Sequence, residues 1–152
     1  MDDAAAQLDG FIDKFTPDVA ALTRALYARM KARVPGATIL VYDNYNALAI
    51  GFAAGERVKD VVLSLAVYPR WVSLFFMQGR WLDDPHGLLR GSGNQVRHVP
   101  AISEASFDDP RLDALIEDAL DKADRPIDPA GEPVLLIKSV SSKQRPRRPA
   151  GA

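Results

Sequence analysis

No cysteine occurs in the 152 residues. That absence removes disulfides, thiolate nucleophiles, zinc knuckles and iron–sulfur ligation at once. Histidine is nearly as scarce, with two, and aromatic residues make up 8% of the chain. No apolar run approaches the ~18–20 residues needed to span a bilayer. The opening MDDAAAQLDGF is acidic and lacks the basic and apolar regions of a secretory leader. These absences lead to the expectation of a cytoplasmic protein. What is present is ordinary for a folded domain: 47% apolar and 26% charged residues, in a length suited to one hydrophobic core.

Charge is unevenly spread. The net value is −1, from 19 basic and 20 acidic residues. Lys143, Arg145, Arg147 and Arg148 all lie in the last ten positions. Residues 1–142 therefore carry 15 basic against 20 acidic groups, or −5. A body of that sign repels a phosphate backbone, so nucleic acid is expected as a partner only through the basic end. That end, SSKQRPRRPAGA, holds Pro146 and Pro149 and almost nothing apolar. It is read as a flexible tail over 139–152, leaving a single domain over 1–138.

Leu8, Phe11, Ile12 and Phe15 fall at helical spacing. Thr16 as N-cap, Pro17 at the first helical position and Asp18 near the positive end start a second helix, with Val19, Leu22, Leu26 and Met30 as its apolar stripe. Pro35-Gly36 stops it. Arg24, Arg29, Lys31 and Arg33 occupy the other faces and are read as solvated.

From Ala37 the period changes to two. Thr38–Tyr42, Ala47–Ala53, Asp60–Tyr68 and Trp71–Met77 read as strands, with a fifth over Gln95–Ile102. The connections between the first four are too short for anything but antiparallel neighbours. Asp109-Pro110 starts a last long helix, with Leu112, Leu115, Ile116, Ala119 and Leu120 inward, and Val134–Ile137 adds an edge strand or packs back on the sheet. The expected fold is α+β: an antiparallel sheet of about five strands flanked by an N-terminal helix pair and a C-terminal helix. One sheet face is bulky. The other is small (Ala49, Gly51, Ser64, Ala66) and rimmed by Tyr42, Tyr45, Tyr68 and Trp71. Such a floor serves either a shallow binding surface or close approach of backbone or of a second subunit.

The segment WLDDPHGLLRGSGNQVRH, residues 81–98, concentrates the chemistry: both histidines, two adjacent carboxylates, two arginines and a Gly-Ser-Gly turn. Asp84-Pro85 predicts a helical turn over 85–90, and Gly91 suits the left-handed position that ends it. Gly-Ser-Gly is no phosphate loop, since Lys-Ser/Thr does not follow, and Val96 replaces the third glycine of a dinucleotide fingerprint. Ser92 is outside G-x-S-x-G. Two ligand sets remain: Asp83, Asp84, His86 and His98 for iron, zinc or manganese, and Arg90, Ser92, Arg97 and His98 for a small anion, with Tyr45 and Trp71 as aromatic contacts.

Leu74-Phe75-Phe76, Gly79, Leu82-Asp83-Asp84-Pro85, Gly87-Leu88-Leu89, Gly91-Ser92-Gly93 and Arg97-His98 together resemble the YdhG-like family, a bacterial group also called domain of unknown function 1801. The similarity covers residues 10–122. It implies a helix-flanked antiparallel sheet similar to frataxin, and a binding or carrier role rather than an enzymatic one. Intracellular iron is the one concrete cargo it offers, and Asp2, Asp3, Asp9, Asp13 and the acidic side of the last helix are hard donors suited to weak, reversible iron binding. The competing expectations are a protein-interaction module, self-association to a homodimer included, and a metal-free anion-binding domain. The chain departs from the family at Tyr42-Asp43-Asn44-Tyr45, where many members carry Trp-Gly-x-Pro-x-Tyr.

Overall fold

A computed structural model describes residues 3–151. Asp2, one of the carboxylates considered for iron, lies outside them. The elements are α1 (Asp3–Ile12), α2 (Pro17–Arg33), β1 (Thr38–Asp43), β2 (Leu48–Ala53), β3 (Val61–Val67), β4 (Val72–Phe76), β5 (Arg97–Val99), α3 (Pro110–Lys122) and β6 (Val134–Val140). The fold is α+β, with one six-stranded sheet in the order β5-β4-β3-β2-β1-β6.

The helix starts follow from their caps. The Thr16 hydroxyl accepts the Val19 N–H, with Pro17 at the first turn. The Asp109 carboxylate accepts the Arg111 N–H, with Pro110 next. Both satisfy amides that the first helical turn leaves free. Leu26, Met30, Leu112, Leu115 and Ile116 pack with Phe15 against Ile39, Val41, Leu48, Ile50, Phe52, Leu63, Leu65 and Leu74. The bulky sheet face is thus the core. On the opposite face Leu40, Ala53 and Val61 form a second cluster with Tyr42, Met77 and Leu136, to which no helix contributes.

β1 to β5 pair antiparallel throughout, as the short connections among the first four require. The strictly antiparallel expectation needs correction at β6, which lies parallel to β1, Leu40 facing Leu136, with a bulge after Val41. The α3 crossover between β5 and β6 brings the chain back in that direction. β5 is also shorter than the eight residues expected, because Pro100 cannot donate to the ladder and Ala101 adopts φ 49°.

The cations of α2 are not simply solvated. Arg24 bonds Asp9 and Asp13 of the preceding segment at 2.7 and 2.8 Å, and Arg33 reaches Asp113 and Glu117 on α3 at 2.7 and 2.6 Å. Exposed pairs of this kind contribute about 0–1 kcal/mol each, and they fix the helices relative to one another. They also occupy carboxylates that were candidates for iron.

Residues 139–151, read as a flexible tail, are mostly exposed but run along the body of the protein. β6 runs through the expected boundary to Val140. The chain then turns back across the β1–β2 connection, the Ser141 and Arg145 N–H groups donating to the carbonyls of Asp43 and Tyr45. Arg147 is 6% exposed and bonds the fully buried Asp43 carboxylate at 2.8 Å. A buried guanidinium of this kind needs such a partner.

Candidate functional site

The segment 81–98 folds largely upon itself. No helix forms over 85–90. The two Asp84 oxygens instead accept the N–H groups of Leu88 and Leu89, each at 2.9 Å, which closes a turn through Gly87 at φ +64°. Asp84 caps this turn as it would cap a helix; Leu88 and Leu89 then dock on the core. The expected left-handed glycine is Gly91, with φ +116°, but it directly follows Arg90, which bridges to His98, rather than ending a helix.

Of the anion-binding set, the bridge from Arg90 to His98 brings two members together, and Arg97 precedes His98 in β5. One guanidinium nitrogen of Arg90 donates to the carbonyls of Gly87 and Leu89, and one of Arg97 to those of Gly93 and Val96. Ser92 is exposed, and the His98 ring stacks on Phe75 with centroids 4.9 Å apart. Tyr45 and Trp71 sit in the β1–β2 and β3–β4 connections, away from this loop.

The metal set also requires correction. Asp83, Asp84 and His86 border one shallow hollow of 540 Å³ against α3, together with Arg111, Glu117, Asp118 and Asp121. His98 belongs to β5 and is not part of that lining. Among the described residues no group of three or more His, Asp or Glu side chains is placed to hold a metal ion. The reason is local: Asp84 is committed to two amides, Asp118 accepts from Lys122 at 3.1 Å and from the Asp83 N–H, and Asp83 is 92% exposed.

A larger concavity than this hollow includes Trp81 in its lining. A cleft of 1210 Å³ opens between the turn over Val58–Asp60, the start of β3, the end of β4, residues 95–96 and the C-terminal end of α3. Val61, Val62, Phe76, Met77 and Leu82 give it an apolar lining. Four cations, Arg57, Lys59, Lys122 and Arg125, face two carboxylates, Asp60 and Asp124. Asp60, 5% exposed, takes a bond from Arg125 at 3.1 Å and from the Arg57 N–H at 3.2 Å. Gly55 allows this pair, since a Cβ there would collide with both the Arg125 guanidinium and the Asp60 carboxylate. Gln78 ties Asp124 at 2.8 Å. Arg125 is held by Asp60, and Lys122 by Asp118 at 3.1 Å and the Trp81 carbonyl at 3.0 Å, which leaves Arg57 and Lys59 as the rim's excess positive charge. Trp81, 53% exposed, stands at the lip. Of this site only Trp81, Leu82, Gln95 and Val96 lay in the segment that drew attention in sequence; the cations come from two remote loops and α3.

Asp43 is the second notable group. Burial alone would push its carboxyl up. Its neighbours Lys14, Gln144 and Arg147 outweigh that and hold it below the ordinary carboxylate value. Tyr42, beside it in sequence, has a buried phenol oxygen without a hydrogen-bond partner, and burial pushes its pKa up.

No family model, curated protein or solved structure matches this chain. Among the described residues no helix is long and apolar enough to cross a membrane.

Proposed function

We propose that the protein is a small carrier of the YdhG-like type that holds an organic anion with an apolar body in the cleft beside Trp81. One observation carries this reading: a concavity of 1210 Å³ whose lining combines apolar side chains with Arg57 and Lys59, two cations outside the ion pairs of Arg125 with Asp60 and of Lys122 with Asp118. Ligand sites are commonly concave, mostly apolar and fitted with a few polar groups that orient the ligand. The volume is ample for a drug-sized molecule, and the charge selects a carboxylate or phosphate head.

Carriage rather than catalysis follows from the lining, which contains no His, Ser, Thr, Tyr or Cys. Asp60 is its one buried carboxylate, and it is already engaged by the Arg125 guanidinium and the Arg57 amide. An organic anion is favoured over iron because the donors considered for iron are dispersed or already bonded.

The test is a fluorescence titration in a Trp71→Phe background, where Trp81 is the sole indole. Fatty and aromatic carboxylates and inorganic phosphate are the probes, with ferrous iron under anaerobic conditions as a separate arm. Saturable quenching by an apolar carboxylate, weakened at least about tenfold in an Arg57→Gln, Lys59→Gln variant, is expected; a lost charge-assisted contact corresponds to roughly that factor. Tight iron binding with no response to any carboxylate would overturn the proposal.

A further inference from the structure

The opposite end of the sheet carries a different surface. The β1–β2 and β3–β4 connections are adjacent there, because Leu48 pairs with Val67. Each presents an exposed ring on a planar partner. Trp71, 43% exposed, stacks on Tyr68 with centroids 5.5 Å apart. Tyr45, 46% exposed, lies under the Arg145 guanidinium at 5.6 Å. Two strand spacings separate the connections, roughly 10 Å. Arg70, between Tyr68 and Trp71, and Lys143, two residues before Arg145, are exposed.

The returning C-terminal segment makes this a fixed surface. Arg147 is anchored on Asp43 and on the Asn44 carbonyl at 2.8 and 2.6 Å, and the Arg145 N–H is bonded to Tyr45. Arg145 is thereby held on the Tyr45 ring, with Lys143 two residues before it on the same anchored segment. Asp43 gives no opposing field at the surface: it is fully buried and faces two cations, Lys14 and Arg147, with a single charge.

We infer that this end of the sheet binds single-stranded nucleic acid, the rings of Tyr45 and Trp71 stacking on bases while Arg70, Lys143 and Arg145 meet the phosphates. Cationic tracks interleaved with exposed rings are how sequence-tolerant single-strand binders work. An acidic peptide would use the cations and leave the planar pairs without a purpose. A duplex hides its base faces, so the rings discriminate against it. Lys143 and Arg145 belong to the basic end of an otherwise acidic chain, −5 over residues 1–142, which favours backbone contact here. The surface is separate from the cleft at Trp81, so neither assignment depends on the other.

The test uses the full chain and a fluorescein-labelled oligothymidylate of about 15 nucleotides, read by anisotropy at low salt, with the matching duplex alongside. The expected result is preference for the single strand and a log–log salt slope of about −2, from three phosphate contacts at roughly 0.7 each. Tyr45→Ala and Trp71→Ala should each weaken binding at least about fivefold, the lower bound of one stacked base. Both side chains are half in solvent, and the melting temperature of each variant confirms folding. Absence of binding, equal affinity for the duplex, or unchanged affinity in both ring variants would each overturn the assignment.

Discussion

Residues 81–98 and residues 139–151 invert each other. The first segment carries the densest polar chemistry in the chain and spends it locally. Its guanidiniums bond carbonyls one to four residues away, and Asp84 caps amides four and five residues ahead. The second segment has the composition of a solvated tail, yet Arg147 bonds a carboxylate 104 positions upstream. The lesson is that clustered functional groups in one stretch are often the means by which a loop without regular structure satisfies its own backbone. A basic, proline-containing end cannot bury enough of its own apolar surface to fold, but it can fold against a charge that the body has left buried.

The largest expected effect tests the second half of that contrast. Asp43→Ala leaves Arg147 in a dry site with only the Asn44 and Tyr45 carbonyls, whereas Lys14, 40% exposed, can turn to water. Removing one partner of a buried pair costs about 3–5 kcal/mol, and urea denaturation should show a loss in that range. A loss below about 1 kcal/mol, the level of a surface pair, would mean the segment is only resting on the sheet. Acid sharpens the point. A carboxylate held below its unfolded value stabilises fully above that value, about pH 4, and the contribution disappears as pH falls through the lower folded value. The melting temperature of the native protein should therefore fall more steeply below about pH 4 than that of Asp43→Asn.

The first half of the contrast predicts smaller, backbone-centred losses. Gly91 has φ +116°, and a Cβ there would sit 3.4 Å from the Val96 carbonyl oxygen. Space is therefore tolerable but conformation is not. Gly91→Val should cost about 1–3 kcal/mol, the range for a strained residue in a sparsely populated region, measured by the same denaturation. Asp84→Ala removes the acceptor of two amides and should cost about 1–2 kcal/mol, the upper range of a lost cap. If Gly91→Val is neutral, the loop is mobile enough to choose another path, and the account of it as a self-satisfied corner fails.

How much of this could be read from sequence divides along the same line. The Thr16 and Asp109 caps, the α2 stripe and the alternation in β2 and β3 are set by neighbours within a few residues, and all were legible. The Asp84 cap was legible too, although the turn it closes is not a helix. β6 was legible as an apolar run but not as a parallel partner of β1, since a crossover leaves no turn signal to fix direction. The Arg147–Asp43 pair left no local signal whatever: Asp43 lay just beyond the expected first strand, and Arg147 was one of four cations in a basic end. The cleft was illegible for the same reason, because Arg57, Lys59, Lys122 and Arg125 converge only through the sheet and α3.

The smallest expected effect bears on whether 81–98 holds a metal. His86 is exposed, its ring at the edge of the hollow that Asp83, Asp84 and α3 border. A surface side chain with no committed bond contributes within about 0.5 kcal/mol either way, so His86→Ala should leave the denaturation midpoint almost unmoved. His98→Ala should cost more, about 0.5–1.5 kcal/mol, for the stack on Phe75 at 4.9 Å. A metal site would reverse this order, because a ligand histidine contributes through binding linkage whatever its exposure: a hundredfold excess of metal over its dissociation constant adds about 2.7 kcal/mol. The two variants should therefore be melted with ferrous iron and with a chelator. Corner chemistry gives His98→Ala below His86→Ala in melting temperature, with neither additive shifting the native protein. A chelator-sensitive native protein that loses this sensitivity in His86→Ala would restore the loop as a site and end its contrast with the C-terminal segment.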